Sequence, residues 1–320
     1  MVLESLIGER NIRKHPLYML LITFIISFGS IIAAYNISPV HSSVLSVAFI
    51  TIGLIPVVHN ILAKEEYEEA VERKSAVTFF ARHFNLILIY VFIFVGVILA
   101  FTIAFMVFPP EVNQTLFQEQ INSFCWLQSD ACIENLPLSI SGQVTASSLG
   151  YCQTPGLQDP FLCSFIIFEN NAKVLLFIII LSLLYGAGAI YIIAWNASII
   201  GLFFGEMLLT LEYGKAVSFA MVMLIGHGPA ELLAYVFGAL AGAVLSAMIS
   251  RGQFLSHEFS TIIKDVLFLG LLGLFSVAYG SLAEGLALVG FADFSVMMGF
   301  IYLLVLVILV FLYGTKRKKN

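Results

Sequence analysis

A histidine and a glutamate stand four residues apart in His227-Gly228-Pro229-Ala230-Glu231, inside a stretch that otherwise reads as membrane helix. Ionisable side chains are costly within a bilayer, so they face a protein interior, find a partner, and mark function. At helical spacing an imidazole and a carboxylate point the same way. Such a pair can relay a proton or hold a cation beside a discontinuous helix. The Gly-Pro pair interrupts the helix between them, and interrupted helices at membrane depth are tolerated where they are buried in protein or line a cavity. Glu206, Glu284 and the amide of Asn196 are the other polar groups in apolar surroundings that complete a candidate cluster.

Three uses of that cluster compete. In the first it is structural: Glu231 bonds His227 or caps free amides beside the helix break, because buried polar groups need partners. In the second it carries a proton or a cation through the membrane. In the third it is catalytic, and here the sequence offers least. The six histidines fall at 15, 41, 59, 83, 227 and 257, with no His-Glu-x-x-His set, no Gly-x-Ser-x-Gly and no phosphate-cradling loop. No metal, cofactor or catalytic residue is expected on these grounds.

The elements that must position these residues are membrane helices. The chain of 320 residues is 60% hydrophobic and 11% charged, with a mean hydropathy of +1.00. Soluble domains carry roughly 25% charged residues, so the class is integral membrane and the lipid bilayer is the first partner. Apolar runs long enough to cross it lie at 17–34, 44–62, 86–108, 172–194, 229–250, 266–289 and 295–313, with shorter runs at 197–211 and 216–226. Residues 216–250 exceed one straight crossing, so a re-entrant or broken helix is expected near 216–231, with Pro229 in the first turn of its second part. The first run is too long for a cleaved signal peptide and is read as the first span.

Charge sets the expected orientation. No Lys or Arg occurs between Arg82 and Lys173, while Glu111, Glu119, Asp130, Glu134, Asp159 and Glu169 fall in 109–171. Lys and Arg gather at 10–14, 64–82, 251–264 and 316–319. The positive-inside rule then puts those segments and both termini in the cytoplasm, and loop 109–171 outside. Cys125, Cys132, Cys152 and Cys163 all lie in that loop. Two disulfides are expected there, in any of three connectivities, stapling a cap too small and polar to hold itself together. Asn113-Gln114-Thr115 in the same loop is a glycosylation-type triplet.

The organisation that follows has four parts. Residues 1–108 hold an interfacial start, a membrane hairpin, a charged cytoplasmic helix and a third span. Residues 109–171 form the outer loop, 172–313 a second membrane domain, and 314–320 a basic tail. In the second domain Ala230, Ala234, Gly238, Gly242, Ser246 and Ser250 recur every fourth residue. Such a stripe lets two helices approach closely, and close packing drives association in lipid. The packing partner is expected within the chain.

Residues 195–251 resemble the stage II sporulation protein M family of polytopic membrane proteins, in its archaeal-type form. The likeness rests on Asn196 followed by Gly201, then His227-Gly228-x-x-Glu231 opening a span with Gly238 and Gly242, with Gly226 in place of the family's usual proline. In spore-forming bacteria the family member is an integral component of a membrane complex with cell-wall hydrolases. The resemblance therefore implies a non-enzymatic component of a membrane complex, with membrane-protein partners or a second copy of the chain, and no role for nucleic acid. The overall expectation is an all-α polytopic membrane protein with seven or eight inserted segments. The alternative function is a transporter or channel using His227, Glu231 and Glu284; an intramembrane hydrolase ranks third.

Overall fold

A computed structural model describes residues 16–71, 79–128, 152, 159–210, 217, 220–250 and 259–317. All regular structure among them is helical. The helices are α1 (Leu17–Ile37), α2 (Ser42–Val71), α3 (Phe79–Val107), α4 (Pro110–Leu116), α5 (Gln118–Gln128), α6 (Pro160–Tyr185) and α7 (Ala189–Thr210). There follow a π-helical turn, Val222–His227, and α8 (Gly228–Ser250), α9 (Phe259–Leu288) and α10 (Ala292–Arg317). Seven helical stretches among the described residues are long and apolar enough to cross a membrane, and Ala292–Ile308 adds a shorter apolar one. Large apolar side chains stand exposed along these helices, among them Leu21, Ile25, Phe177, Leu184, Leu271 and Leu304. Backbone groups satisfied within helices and apolar side chains turned outward are what lipid demands. The chain is a multi-pass integral membrane protein.

The apolar run 172–194 does not form one span. Gly186 takes a φ of 52°, a conformation that glycine adopts without a Cβ penalty, and the chain turns there between α6 and α7. The helix before the turn also starts earlier than expected, at Pro160. Asp159 accepts a hydrogen bond from the Phe161 N–H at 2.9 Å, and Pro160 occupies the first helical position. The polar stretch 169–173 is carried inside this helix, with Lys173 donating to Glu169 one turn away at 2.6 Å. The short run 197–211 becomes a full span within α7.

The break before Pro229 takes the form of the π-helical turn, which runs straight into α8. Proline has no N–H, and its ring collides with the carbonyl four residues back, here that of Ile225. Widening the turn moves that carbonyl aside. Gly228 is required by the same turn: a Cβ there would strike the Met223 carbonyl. Residues 211–216, 218 and 219 lie outside the described residues, and so do the N-terminal segment 1–15 and residues 72–78 of the charged segment.

The chain divides into two compact units. The first contains α1, the membrane part of α2, most of α3, α4, α5 and α7. Gly96 of α3 sits against Leu20 and Thr23 of α1, and Gly201 of α7 against Ile98 and Phe101 of α3. The Thr102 hydroxyl seals the second contact by donating to the Gly201 carbonyl at 2.8 Å. Part of the segment 109–171 packs here as helix. Gln120 donates to the Ser43 carbonyl at 3.1 Å, and Ser42 to the Leu116 carbonyl at 3.1 Å. Asn113, the acceptor of the glycosylation-type triplet, is buried. Its amide nitrogen donates to the carbonyls of Phe105 at 2.7 Å and Phe108 at 3.2 Å. The atom a glycan would occupy is capping α3 instead.

The second unit is built on α6, α8 and α9, which pack on one another, with α10 against the π turn and α9. Gly238 and Gly242 of the small-residue stripe face α6. A Cβ at Gly242 would stand 2.5 Å from the Ile179 carbonyl and from Ser182 Cβ. Ala230 faces Gly280 of α9, Ala234 is buried, and the stripe runs out at the exposed Ser250. Ser246 is half-buried near that end. Cys152 and Cys163 form a disulfide at the start of α6. Cys132 and the side chain of Cys125 lie outside the described residues.

Replacing Gly242 with Val is expected to lower stability by about 1–3 kcal/mol, the usual cost of overpacking. Gly270→Ala, where a Cβ meets nothing within 4 Å, should raise it by roughly 0.5–1 kcal/mol through helix propensity alone. Thermal unfolding of both variants in detergent micelles reads the difference. Equal shifts would mean that α6 and α8 do not depend on close approach at Gly242.

Candidate functional site

The second unit brings three of the five residues of the expected cluster together. One donor atom each from His227, Glu231 and Glu284 lie within 4.8 Å of one another. His227 closes the π turn, Glu231 lies in the first turn of α8, and Glu284 comes from α9. Asn196 and Glu206 are not part of this group. Both lie on α7 in the other unit, where the Asn196 amide donates back to the Ile192 carbonyl of its own helix at 2.8 Å.

Each residue of the pentapeptide has a local reason. The Ile225 and Gly226 carbonyls, displaced at the π turn, face Gly299 of α10, whose missing side chain admits them. Ser295, one turn earlier on α10, lies against Gly226, where a Cβ would stand 2.7 Å from its Oγ. These contacts set the position of His227. Glu231 leans over Gly280, where a Cβ would stand 2.8 Å from its Cγ. Gly280 and Glu284 share one face of α9, so the space left by the glycine carries Glu231 toward the second carboxyl.

Two residues that the sequence reading left out complete the site. The Asn171 side chain, from α6, donates to Glu231 Oε1 at 2.7 Å. The Tyr235 hydroxyl, one turn along α8 from Glu231, donates to Asn171 Oδ1 at 3.2 Å. Both are buried. The chain Tyr235–Asn171–Glu231 holds one carboxyl oxygen in place, and Glu231 also shares a side-chain hydrogen bond with Glu284. His227 is only 4% exposed, yet its Nδ1 has no hydrogen-bond partner. It is one of ten such atoms among the described residues, and its side chain is grouped with two carboxyls.

The site sits toward one end of the unit. Asn171 lies in the first half of α6, His227 and Glu231 in the first part of the span Val222–Ser250, and Glu284 near the end of the antiparallel α9. Two carboxyls at this separation, in apolar surroundings, need compensating positive charge: protons, an imidazolium or a bound cation. The arrangement can take up and release such charge, and it also has the donor types of a metal site. No protein-family model, no curated protein and no solved structure matches the chain.

Asn171→Ala should destabilise the protein by about 1–3 kcal/mol, since it leaves a buried carboxyl short of its donor. Tyr235→Phe should cost less, about 0.6–1.5 kcal/mol. The double variant should cost less than the sum, because the tyrosine acts through Asn171. Chemical unfolding in micelles measures the cycle, and strict additivity would show that the hydroxyl acts through another group.

Proposed function

We propose that the chain is a membrane transporter or channel for a small cation, with His227, Glu231 and Glu284 as its ion-binding site. The observation that carries this reading is a buried imidazole with an unpartnered Nδ1, one ring nitrogen of which lies within 4.8 Å of an oxygen of each of two carboxyls. A purely structural network satisfies its members, as Asn171 and Tyr235 are satisfied. This site leaves His227 Nδ1 without a partner instead, and reversible binding of a cation requires such an uncommitted donor.

The expected orientation fits the reading. Counting Ala292–Ile308 as a crossing gives eight, and an even number puts both termini on one side. With Lys and Arg inside, α6 and the π turn then begin at the outer face, on the side of the acidic loop. That loop would weakly raise the cation concentration at the entrance. The likeness to the stage II sporulation protein M family favours a non-enzymatic component of a membrane complex. Such a role accounts for the tight glycine packing, but not for the free histidine nitrogen.

The test is flux in proteoliposomes. The parent protein should move protons or a metal cation down a gradient, and Glu231→Gln should reduce the rate at least tenfold while the protein stays folded. Glu231→Cys, in a variant lacking the native cysteines, should react with a membrane-impermeant maleimide from the outer side. Absent flux in the parent, with position 231 shielded from both sides, would return Glu231 to a structural role.

A further inference from the structure

We infer that His227, Glu231 and Glu284 together bind a divalent transition-metal ion, which deepens the transport reading by giving the chemical class of its cargo. The donor set points there first. One imidazole nitrogen with two carboxylates is a mixed nitrogen and oxygen site. Hard cations such as Ca²⁺ and Mg²⁺ prefer oxygen donors alone, whereas imidazole suits Zn²⁺, Fe²⁺, Ni²⁺ and Cu²⁺. Charge points the same way. Two carboxylates and a neutral imidazole carry two negative charges, and one divalent ion cancels them inside a bundle where uncompensated charge is costly.

Geometry is compatible with a single ion. Donors bound to one metal at about 2.0–2.2 Å stand about 3–3.5 Å apart. The three donor atoms here already lie within 4.8 Å of one another, so closure takes side-chain movements of about 1 Å. His227 and Glu231 come from one helix at a spacing of four and Glu284 from its neighbour, so the three donors converge from two sides. Asn171 fixes Glu231 Oε1, which orients the carboxyl as a hydrogen-bonded neighbour does for a metal ligand. The unpartnered His227 Nδ1 is a second observation, independent of the carboxyl pair. Three protein ligands also leave a coordination position open. Structural zinc sites are closed by four protein ligands, while sites that exchange a ligand are not.

The experiment uses the full-length protein in detergent, stripped with EDTA and titrated with Co²⁺ and Zn²⁺. The parent is expected to take up one equivalent per chain, reversibly, with Co²⁺ giving the visible d–d absorption of a low-symmetry site. Glu231→Gln, Glu284→Gln and His227→Ala should each weaken binding by more than roughly 100-fold, the upper end for removing a group that only orients a ligand. Asn171→Ala should fall within roughly 10–100-fold. If His227→Ala does not fold, the near-isosteric Gln variants carry the test. No stoichiometric uptake by the parent, or uptake unchanged in the Gln variants, overturns the inference. Metal binding without flux in liposomes keeps this site and removes the transport reading; proton flux without metal binding does the reverse.

Discussion

Close approach of helix backbones is the constraint on which the second unit depends. In lipid no hydrophobic force draws helices together, so packing and hydrogen bonds must do it. Helices usually stand about 8–10 Å apart, with the distance set by the side chains at the contact. At Gly238, Gly242 and Gly280 there are none, and the neighbouring helix fills the space. This closeness matters for chemistry as well as stability. Asn171, Glu231 and Glu284 come from three helices, and their side chains are short. Held farther apart, they could not meet in one hydrogen-bonded group.

The polar cluster that this packing assembles is unbalanced in a specific way. Glu231 is served on one oxygen by Asn171, and Asn171 is served by Tyr235. His227 is served by nothing at Nδ1. If stability were the only role, a carboxyl pair in apolar surroundings would be a poor choice, because apolar residues of similar volume are often as stable or better. A pair of carboxyls beside an imidazole instead defines a place whose charge depends on what occupies it. The proposed binding of a cation rests on that dependence.

The fold class and the key pentapeptide were legible in the sequence, because both are written in hydropathy and in the cost of charge within lipid. His227, Glu231 and Glu284 stood out for the latter reason. Asn196 and Glu206 stood out equally, and nothing in the linear pattern could tell that α7 belongs to the other unit. Asn171 was missed because Glu169 and Lys173 interrupt the apolar run, so the run seemed to begin after it. The helix in fact starts at Pro160 and carries that polar stretch as an internal pair. Asn113 stands in a glycosylation-type triplet, and the tertiary structure uses its amide to satisfy carbonyls at the end of α3. A motif three residues long carries no information about burial.

The Gly-Pro pair had a subtler reading. A proline in an apolar stretch announces a lost hydrogen bond, and the direct expectation is a broken helix whose halves can point apart. The chain resolves the clash by widening one turn, so that Val222–His227 runs into α8 without leaving helical geometry at Gly228. That choice has consequences for the site. Separated halves would leave His227 on a loop, free to swing relative to Glu231. A continuous helix ties the two residues to one rigid element, and α10 buttresses the widened turn through Gly299 and Ser295. Only the third group, Glu284, then lies on a separate helix. Its distance from the other two is set where Glu231 crosses Gly280. A small shift of α9 against α8 would change that distance while leaving the His227–Glu231 pair intact. The site is thus built from a pair on one helix and a third group on its tightly packed neighbour.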